Sequence, residues 1–408
     1  MTAPINFMSS IIGGSFAFVG DRSSRTLSNT ASRIYVAAEV GEVCQLKCKH
    51  CIYSNERPKS PKPNIAVSRA LSTILNGNYR PMVVSFVGKE PTIFPDSLLK
   101  MAEHVREADT YRMLVTNGIR LTGDLSSAIH ELFQQVDVSL DGDLSEHDGI
   151  RGAGTFSKSW NNIVKFSEKK GDVRIGIIST ASRNSGPSGD NINSIISLSR
   201  RLRGEFGLKS STCLSISLYF GPPGDPMMLG VDEIVRLLRG LSEVGFPTRV
   251  LLTANYAHLW PKVAARLGMT DIAEYFDDRT GLPVIEAGNL RVFPFNQTEV
   301  GQFFMRLGND GHLYLGCSHL ALGELGREFA LSTLSEGDLN EAIGGIVGLS
   351  HSGLAPLLTT DPRCTSCAHW TSCRGGDRSA GLYFGRGAHD PYCSILNAQV
   401  SPALVGLQ

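Results

Sequence analysis

The sequence predicts an α/β fold in which a parallel sheet closes partway into a (β/α)6 TIM-like barrel. Three observations predict this fold. Short β-branched runs alternate with amphipathic runs, a cysteine cluster follows the first predicted strand, and glycine-containing turns follow the next strands. Strand, crossover helix and strand form a parallel unit. Barrels of this kind carry their chemistry at the carboxyl ends of the strands.

The predicted elements follow in chain order. Six runs are predicted as barrel strands: 34–40, 82–87, 111–116, 136–140, 173–180 and 214–220. Three runs are predicted as helices between them: 96–108, 157–169 and 231–244. Residues 248–256 predict one more strand, and residues 306–317 predict a hairpin that turns at Asp310-Gly311. We expect four parts: an N-terminal extension (1–33), the barrel (34–245), a bridging segment (246–289) and a smaller domain (290–408).

The composition is that of an ordinary soluble protein. Basic and acidic residues number 39 each, so the formal charge of zero does not favour nucleic acid or an anionic membrane as a partner. No apolar run is long enough to span a membrane, and the short run 11–20 has no basic region before it, which argues against a signal peptide. We therefore expect a cytoplasmic protein whose cysteines are metal ligands or reactive thiols and not disulfides.

The first cysteine cluster lies in EVGEVCQLKCKHCIYS (39–54) and comprises Cys44, Cys48 and Cys51, in the spacing C-x3-C-x2-C. Thiolates prefer zinc, copper(I) or iron–sulfur clusters. A [4Fe–4S] cluster held by three cysteines leaves one iron without a protein ligand, and an open position is typical of a metal that handles substrate. A zinc site, or three unrelated cysteines, stays open as an alternative.

C-x3-C-x2-C after a first strand resembles the radical SAM superfamily. The resemblance implies that S-adenosylmethionine (SAM) chelates the open iron. The cluster then donates one electron, the sulfonium cleaves, and a 5′-deoxyadenosyl radical abstracts hydrogen from the substrate. An external electron donor such as flavodoxin or ferredoxin is implied as well. The protein would position the cofactor and exclude water.

Four later segments are similar to the family pattern in the same order: GKEPT (88–92), TNG (116–118), SLDG (139–142) and HDGIRGAGTF (147–156). The resemblance implies cofactor contacts for eight residues: His50, Gly88, Glu90, Pro91, Thr116, Asn117, Ser139 and Arg151. The Gly88–Thr92 segment and its Glu90 would bind the SAM ammonium. Lys89 departs from the family's second glycine, and its side chain either crowds the backbone approach or points to solvent.

Among these residues, Ser139 would hold the ribose or carboxylate of SAM, and Arg151 the carboxylate, because a guanidinium pairs with a carboxylate through two hydrogen bonds. His50, between the last two cysteines, would contact the adenine. The ordered set of motifs is more specific than any one of them.

A second cysteine set lies in the tail and has the spacing C-x2-C-x5-C-x19-C: Cys364, Cys367, Cys373 and Cys393. Four thiolates form a closed set that suits a [4Fe–4S] cluster or a structural zinc. The segment resembles the SPASM domain, in which two auxiliary clusters are usual. Asp377 stands where that pattern has a further cysteine, so we expect one auxiliary cluster to be kept and the other lost. Ligation of iron by Asp377 is the less favoured alternative.

Cys317 would then be a thiol without cluster partners. A buried, inert thiol is the favoured interpretation, and a hydrogen-atom donor to a substrate radical is the alternative. Cys213, at the start of the sixth strand, allows the same two interpretations.

The resemblance implies a reaction type, and two functions compete. The first is maturation of a ribosomally made peptide by crosslinking or epimerisation. Only 33 residues precede the first strand, so leader recognition would be unnecessary or would need a separate leader-binding protein. The second is two-electron oxidation of a protein side chain or a small alcohol. Sulfatase maturation is disfavoured, because Ser318 stands where those enzymes have an aspartate base. A zinc-binding scaffold is a third, non-enzymatic alternative, but it gives GKEPT, SLDG and Arg151 no role.

Overall fold

A large mixed sheet dominates the part of the chain that the structure describes. In this computed structural model the described residues are 6–8, 18–19, 34–51, 53, 62–77, 81–207, 212–220, 224–252, 256, 259–268, 285–293, 303–315, 330–351 and 366. Among them no helix is both long and apolar enough to cross a lipid bilayer.

Alternating strands and helices build the sheet and cover it. The described strands are β1 (Asn6–Met8), β2 (Phe18–Val19), β3 (Ile34–Glu39), β4 (Val83–Val87), β5 (Tyr111–Thr116), β6 (Gln135–Ser139), β7 (Arg174–Ala181), β8 (Thr212–Leu218), β9 (Thr248–Leu251), β10 (Ile285–Ala287), β11 (Leu290–Phe293), β12 (Phe303–Leu307), β13 (His312–Leu315) and β14 (Ser332–Thr333). The described helices are α1 (Ile65–Asn76), α2 (Pro95–Glu107), α3 (Gly123–Leu132), α4 (Leu144–Arg151), α5 (Thr155–Ser167), α6 (Ile192–Phe206), α7 (Val231–Val244), α8 (Trp260–Leu267) and α9 (Glu336–His351).

The strand order confirms the predicted α/β fold. Within the described residues the main sheet runs β10-β11-β9-β8-β7-β6-β5-β4-β3-β12-β13-β14, and β1 pairs with β2 separately. Every pairing from β12 through β3 and on to β11 is parallel, while β10, β13 and β14 join antiparallel at the two edges. All six predicted barrel strands are present, with ends shifted by up to two residues.

The sheet is wider than the six predicted strands. Strands β9 and β11 extend it at one edge, and β12 pairs in parallel with β3 at the other. The predicted boundaries after residues 245 and 289 therefore lie within one continuous sheet, and a separate domain from residue 290 stays a prediction. Strand β9 ends at Leu251, five residues before its predicted end. The predicted hairpin is present as β12 and β13, and Gly311 adopts a φ of +84° at its turn.

The two faces of the sheet differ. Residues at even-numbered positions of β3, β4 and β5, such as Val36, Phe86 and Leu114, pack with the helices in the main core. The opposite, inner face carries a smaller apolar cluster: Tyr35, Ala37, Val83, Val87, Met113, Val115 and Ile178. Alternation of side chains along each strand produces this division.

Helix α7 shows how local sequence fixes the outer layer. Its buried residues recur at helical spacing: Ile234, Val235, Leu237, Leu238, Leu241 and Val244. The Glu233 carboxylate accepts a hydrogen bond from the Gly230 N–H (3.0 Å) at the start of the helix. Gly245 ends the helix in the left-handed conformation, with a φ of +67°.

If β12 completes the core, then Met305→Ala should lower the free energy of unfolding by about 3 kcal/mol, because Met305 is fully buried on the helix-covered face. Urea unfolding followed by circular dichroism measures the change. Leu331→Ala is the matched control, since Leu331 is 46% exposed and should cost less than about 1 kcal/mol. Equal losses in the two variants would show that β12 does not pack as described.

Candidate active site

The three-cysteine loop begins where β3 ends, at the carboxyl edge of the parallel strands. Cys44 is half-buried, Cys48 is buried and Cys51 is exposed. The Cys51 N–H donates to the Cys48 carbonyl (3.2 Å), and the Lys49 N–H donates to the Ile150 carbonyl in α4 (3.1 Å). The loop is therefore held against the helix that follows β6.

The three thiols lie within electrostatic reach of one another and of two cations. Burial raises the pKa of Cys44 to about 12 and the pKa of Cys48 to about 11. Desolvation also raises the pKa of Cys51, and the positive charges of Arg151 and Lys89 oppose that rise. The cations at this edge therefore favour thiolates, the form that binds metal.

The donor set fits a cluster site. Among the described residues, no group of three or more His, Cys, Asp or Glu side chains is arranged to hold a metal ion. A [4Fe–4S] cluster makes a different demand, because each cysteine binds a different iron and the sulfurs need not converge on one point. Cys44 Sγ already accepts from the Leu46 N–H (3.3 Å) and from Asn117 Nδ2 (3.8 Å), contacts of the kind that orient metal ligands.

Glu90 joins the loops after β4 and β5. Its side chain is buried, and one carboxylate oxygen accepts from the Thr92 N–H (3.1 Å), the Thr92 hydroxyl (2.6 Å) and the Thr116 hydroxyl (2.6 Å). The other oxygen accepts from the Asn117 N–H (2.8 Å). Burial raises the pKa of Glu90, and these four hydrogen bonds favour the carboxylate. In this structure the Glu90 carboxylate therefore accepts from donors of the chain itself, and its contact with the SAM ammonium stays a prediction.

Asn117 extends this connection to the cysteine loop. The Asn117 Nδ2 donates to Cys44 Sγ, as described above. The Asn117 Oδ1 accepts from Gln45 Nε2 (3.1 Å) and from the Ile119 N–H (3.0 Å). The carbonyl of Asn117 accepts from the Ser159 hydroxyl (2.7 Å). The structure therefore places Asn117 beside the cysteine loop, and the sequence had predicted only a cofactor contact.

Gly88 and Lys89 bring the loop after β4 close to the cysteine loop. Gly88 has a φ of +129°, and a Cβ there would lie 3.2 Å from the Gly41 carbonyl oxygen, so glycine is required. Lys89 is half-buried and its charge acts on Cys51. The two predicted alternatives, a crowding side chain and a solvent-directed one, stay open, and the positive charge of Lys89 also favours the Cys51 thiolate.

Asp141 is the second buried carboxylate and was not predicted as a site residue. Asp141 Oδ2 lies 3.1 Å from His50 Nε2 and pairs with Arg151 Nε, while Oδ1 accepts from the Thr180 N–H (2.9 Å). Although burial opposes ionisation, Arg151 and His50 hold the pKa of Asp141 well below its usual value. The sequence did indicate Asp141, because it is the acidic residue of SLDG and comes directly after a buried strand.

Two predicted residues take part in this pairing, and their contacts with SAM stay predictions. Arg151 was expected to bind the SAM carboxylate, and here its guanidinium is paired with Asp141. His50 was expected to contact adenine, and its Nε2 faces Asp141 while its buried Nδ1 has no hydrogen-bond partner in the described part of the chain. Ser139 and Pro91 are buried at the same edge, at the end of β6 and at the start of the 3-10 turn Pro91–Ile93.

Glu39 is a third buried carboxylate that sequence reasoning missed. Its side chain and that of Arg306 in β12 are 1% and 3% exposed, and Arg306 Nε donates to Glu39 Oε1 (2.5 Å). Tyr53 OH donates to the same oxygen (3.1 Å), and the Asn309 N–H donates to Oε2 (2.8 Å). The Arg306 Cζ lies 5.3 Å from the Tyr53 ring centroid. The partners are far apart in sequence, and no local pattern indicates the contact.

Several predicted site residues lie outside the described residues: Cys317, Ser318, Cys364, Cys367, Cys373, Asp377 and Cys393. The auxiliary cluster and the role of Cys317 therefore stay predictions. Cys213 is described, on the inner face of β8, where Arg249 Nη2 lies 3.4 Å from its sulfur.

Glu90→Gln should lower the free energy of unfolding by about 2 kcal/mol, because an amide replaces one of two buried acceptor oxygens with a donor. Urea unfolding measures this loss. Glu107→Gln is the matched control, since the Glu107 side chain is 68% exposed in α2. If both variants were as stable as the wild type, Glu90 would not hold the two loops together.

His147 should make stability depend on pH. Burial and the nearby Arg151 charge lower the pKa of His147 to about 4, and its Nδ1 accepts from the Asp141 N–H (3.2 Å). The unfolded chain therefore binds a proton at higher pH than the folded chain does, so stability falls as pH drops below about 6.5. Between about pH 7.5 and pH 5 the wild type should lose about 2 kcal/mol more than His147→Asn.

The measurement is urea unfolding of both proteins at several pH values. Asparagine keeps an acceptor for the Asp141 N–H without a titrating ring. Parallel pH profiles for wild type and His147→Asn would contradict this account of His147.

Known proteins resemble this chain in sequence and in fold. Residues 38–191 match the family model of the Radical SAM superfamily. The Fe-coproporphyrin III synthase of Methanosarcina barkeri (strain Fusaro / DSM 804) is 23% identical over 381 residues, which cover 88% of this chain and 86% of that protein.

Two solved structures share the fold. Streptococcus suis SuiB bound to precursor peptide SuiA has a TM-score of 0.61 at 13% identity, covering 93% of this chain and 84% of that one. Native anSMEcpe with bound AdoMet has a TM-score of 0.56 at 16% identity, and the match covers 90% of this chain and 95% of that one. The matched family segment contains the three-cysteine loop, Glu90, Asn117, Asp141 and Arg151. Residues 38–191 of this chain therefore form a radical SAM domain.

Proposed function

We propose that this radical SAM enzyme modifies a ribosomally made peptide, by crosslinking or epimerisation. One observation carries the proposal: the fold matches SuiB, which was solved with its precursor peptide, over 93% of this chain. Fold alone does not assign a substrate, so the experiment below tests the peptide directly.

The chain's own residues supply the site for the cofactors. Cys44, Cys48 and Cys51 would hold a [4Fe–4S] cluster, and the edge formed by Gly88, Ser139 and their neighbours would hold SAM. When bound, the cluster supplies one electron to SAM, which becomes the source of a radical that takes hydrogen from substrate. The contact of Asn117 with Cys44 would orient this site, and the positive charge of Arg151 would favour the thiolates of Cys48 and Cys51.

We further propose that Cys364, Cys367, Cys373 and Cys393 hold one auxiliary [4Fe–4S] cluster, because four thiolates complete its ligand set. This cluster would pass electrons to or from the substrate. An external donor such as flavodoxin or ferredoxin would reduce the enzyme.

A second candidate function is oxidation of a small molecule or a protein side chain. The relative from Methanosarcina barkeri spans 88% of this chain, and its name, Fe-coproporphyrin III synthase, denotes a product that is not a peptide. A chain organised like this one therefore also accommodates non-peptide substrates.

The experiment uses anaerobically reconstituted full-length enzyme with SAM and dithionite. We expect wild type to form 5′-deoxyadenosine, and a peptide encoded beside the gene to lose about 2 Da or to gain solvent deuterium in D2O. Mass spectrometry measures both products. The matched control is the triple variant Cys44→Ala, Cys48→Ala, Cys51→Ala, which should form neither.

Two outcomes would contradict the proposals separately. 5′-Deoxyadenosine without any peptide change would favour the small-molecule alternative. Equal 5′-deoxyadenosine from wild type and the triple variant would contradict the role of the three cysteines.

A further inference from the structure

The segment that carries the three cysteines is closed at its base by backbone contacts. The Asn64 N–H donates to the Val40 carbonyl (2.9 Å). Gly41 and Pro63 form an antiparallel bridge. The Asn64 side chain then caps α1, since its Oδ1 accepts from the Val67 N–H (3.1 Å). The cysteine loop therefore leaves the end of β3 and returns to the start of α1 at one place.

The turn between β12 and β13 contacts both ends of this loop. At one end the Asn309 N–H donates to Glu39 Oε2 (2.8 Å). At the other end Asn64 Nδ2 donates to the Gly308 carbonyl (3.4 Å). The turn is itself held by the Gly308 N–H, which donates to the His312 carbonyl (2.9 Å). A hairpin turn 270 residues after Glu39 therefore lies across the base of the cysteine loop.

The side chain of Glu39 connects this hairpin to the far part of the cysteine loop. Its Oε1 accepts from Arg306 Nε of β12 (2.5 Å) and from the Tyr53 OH (3.1 Å). The Tyr53 ring also lies over the Arg306 guanidinium, with 5.3 Å between Cζ and the ring centroid. A buried ion pair on two strands therefore holds a residue that comes two positions after Cys51.

Cys51 takes its support from a different place than the other two cysteines. Cys44 Sγ accepts from the loop after β5, and the residue after Cys48 donates to a carbonyl of α4. Cys51 is the exposed one of the three, and its N–H donates within the loop, to the Cys48 carbonyl. In the part of the chain that the structure describes, Tyr53 is the first residue after Cys51 whose side chain reaches a strand.

We propose that Tyr53 and Arg306 are positioning residues for the cluster, because through Glu39 they hold the third cysteine in place. The inference rests on the proposed function, since it requires that the three cysteines hold the cluster. Arg306 lies outside residues 38–191, which match the radical SAM family model, so a strand beyond that segment completes the site. Loss of a contact that orients a metal ligand typically lowers metal affinity about 10- to 100-fold.

The choice of substitution follows from the burial of the ion pair. Removal of Glu39 or Arg306 would leave the other charge buried without compensation and weaken folding as a whole. Tyr53→Phe removes one hydroxyl and keeps the ring over the guanidinium. Tyr219→Phe is the matched control, because Tyr219 is also half-buried and its OH donates to a carboxylate oxygen, Asp225 Oδ2, at the same distance of 3.1 Å.

The test measures how firmly the cluster is held and needs neither substrate nor turnover. Anaerobically reconstituted full-length enzyme is incubated with the iron chelator bathophenanthroline disulfonate. Samples taken over time are reduced with dithionite and measured by electron paramagnetic resonance with and without SAM. The signal that SAM changes reports the cluster with the open iron, so a second cluster in the tail does not obscure it.

Tyr53→Phe should lose the SAM-dependent signal about tenfold faster than wild type, while Tyr219→Phe should lose it at the wild-type rate. The urea midpoints of the two variants, measured without chelator, should shift equally, because each variant loses one hydrogen bond of the same kind. A hydrogen bond with a merely structural role would change the midpoint and leave the rate of cluster loss as it is in the control.

Arg306→Lys tests the contribution of β12. Lysine keeps a positive charge beside Glu39 but lacks the planar fork of the guanidinium, so this variant should also lose the signal faster than wild type. Because Tyr53 and Arg306 act through one carboxylate, their effects should not add. The double variant Tyr53→Phe, Arg306→Lys should therefore lose the signal at about the rate of Arg306→Lys alone.

Three outcomes would overturn the proposal: loss of the signal from Tyr53→Phe at the wild-type rate, equal acceleration in Tyr53→Phe and Tyr219→Phe, or multiplied effects in the double variant. A wild-type protein without any SAM-dependent signal would contradict the cluster site itself, and with it every proposal that rests on that site. Failure of the proposed function and failure of this inference are therefore distinguished by the wild-type spectrum.

Discussion

Buried carboxylates at the ends of parallel strands constrain this site more than any other feature. Glu39, Glu90 and Asp141 are each 2% exposed or less, and each lies at or just beyond the carboxyl end of β3, β4 or β6. A charge that is removed from water costs several kcal/mol unless donors and a counter-charge replace the water. The chain supplies them from neighbouring loops: Arg306 for Glu39, Thr and Asn donors for Glu90, and Arg151 with His50 for Asp141. The loops that supply these donors must therefore lie close to the three buried carboxylates.

This constraint explains how an irregular cysteine loop acquires a defined position. Each acid holds one residue in the loop or in contact with it. Glu39 holds Tyr53, two residues after Cys51, and Asp141 holds His50. Glu90 holds the backbone of Asn117, whose side chain contacts Cys44 and Gln45. A cluster needs its cysteines within a few tenths of an ångström of the right place, and loops achieve that only when rigid elements support them. Because Arg306 lies on β12, the support for the cysteine loop includes a strand from the region predicted as a second domain.

Local sequence patterns predicted the barrel strands and the loops that follow them. The β-branched runs gave all six barrel strands, and the order of GKEPT, TNG and SLDG placed Gly88, Asn117 and Ser139 at one edge, since parallel strands bring their carboxyl ends together. Contacts between segments that are distant in sequence could not be predicted, because no local pattern encodes them. Glu39 and Arg306 are separated by 267 residues, and each looked like an ordinary polar residue of a strand. Asp141 was visible within SLDG, but its pairing with Arg151 depends on how α4 returns to the sheet. The width of the sheet was missed for the same reason, because pairing of β12 with β3 is decided by tertiary packing and not by propensity.

The carboxylates that hold the cysteine loop have their partners on neighbouring loops of the same sheet edge. Glu90 accepts hydrogen bonds from Thr92, Thr116 and Asn117, and Asp141 pairs with Arg151 and His50. Breaking a buried pair by removing one partner leaves a buried charge without compensation and costs several kcal/mol. Loss of one donor should therefore displace the loop that carries it as well as destabilise the acid. On this argument, the position of the cysteine loop depends on contacts among the loops after β3 to β6, and the short spacing of the three cysteines is not sufficient to set it.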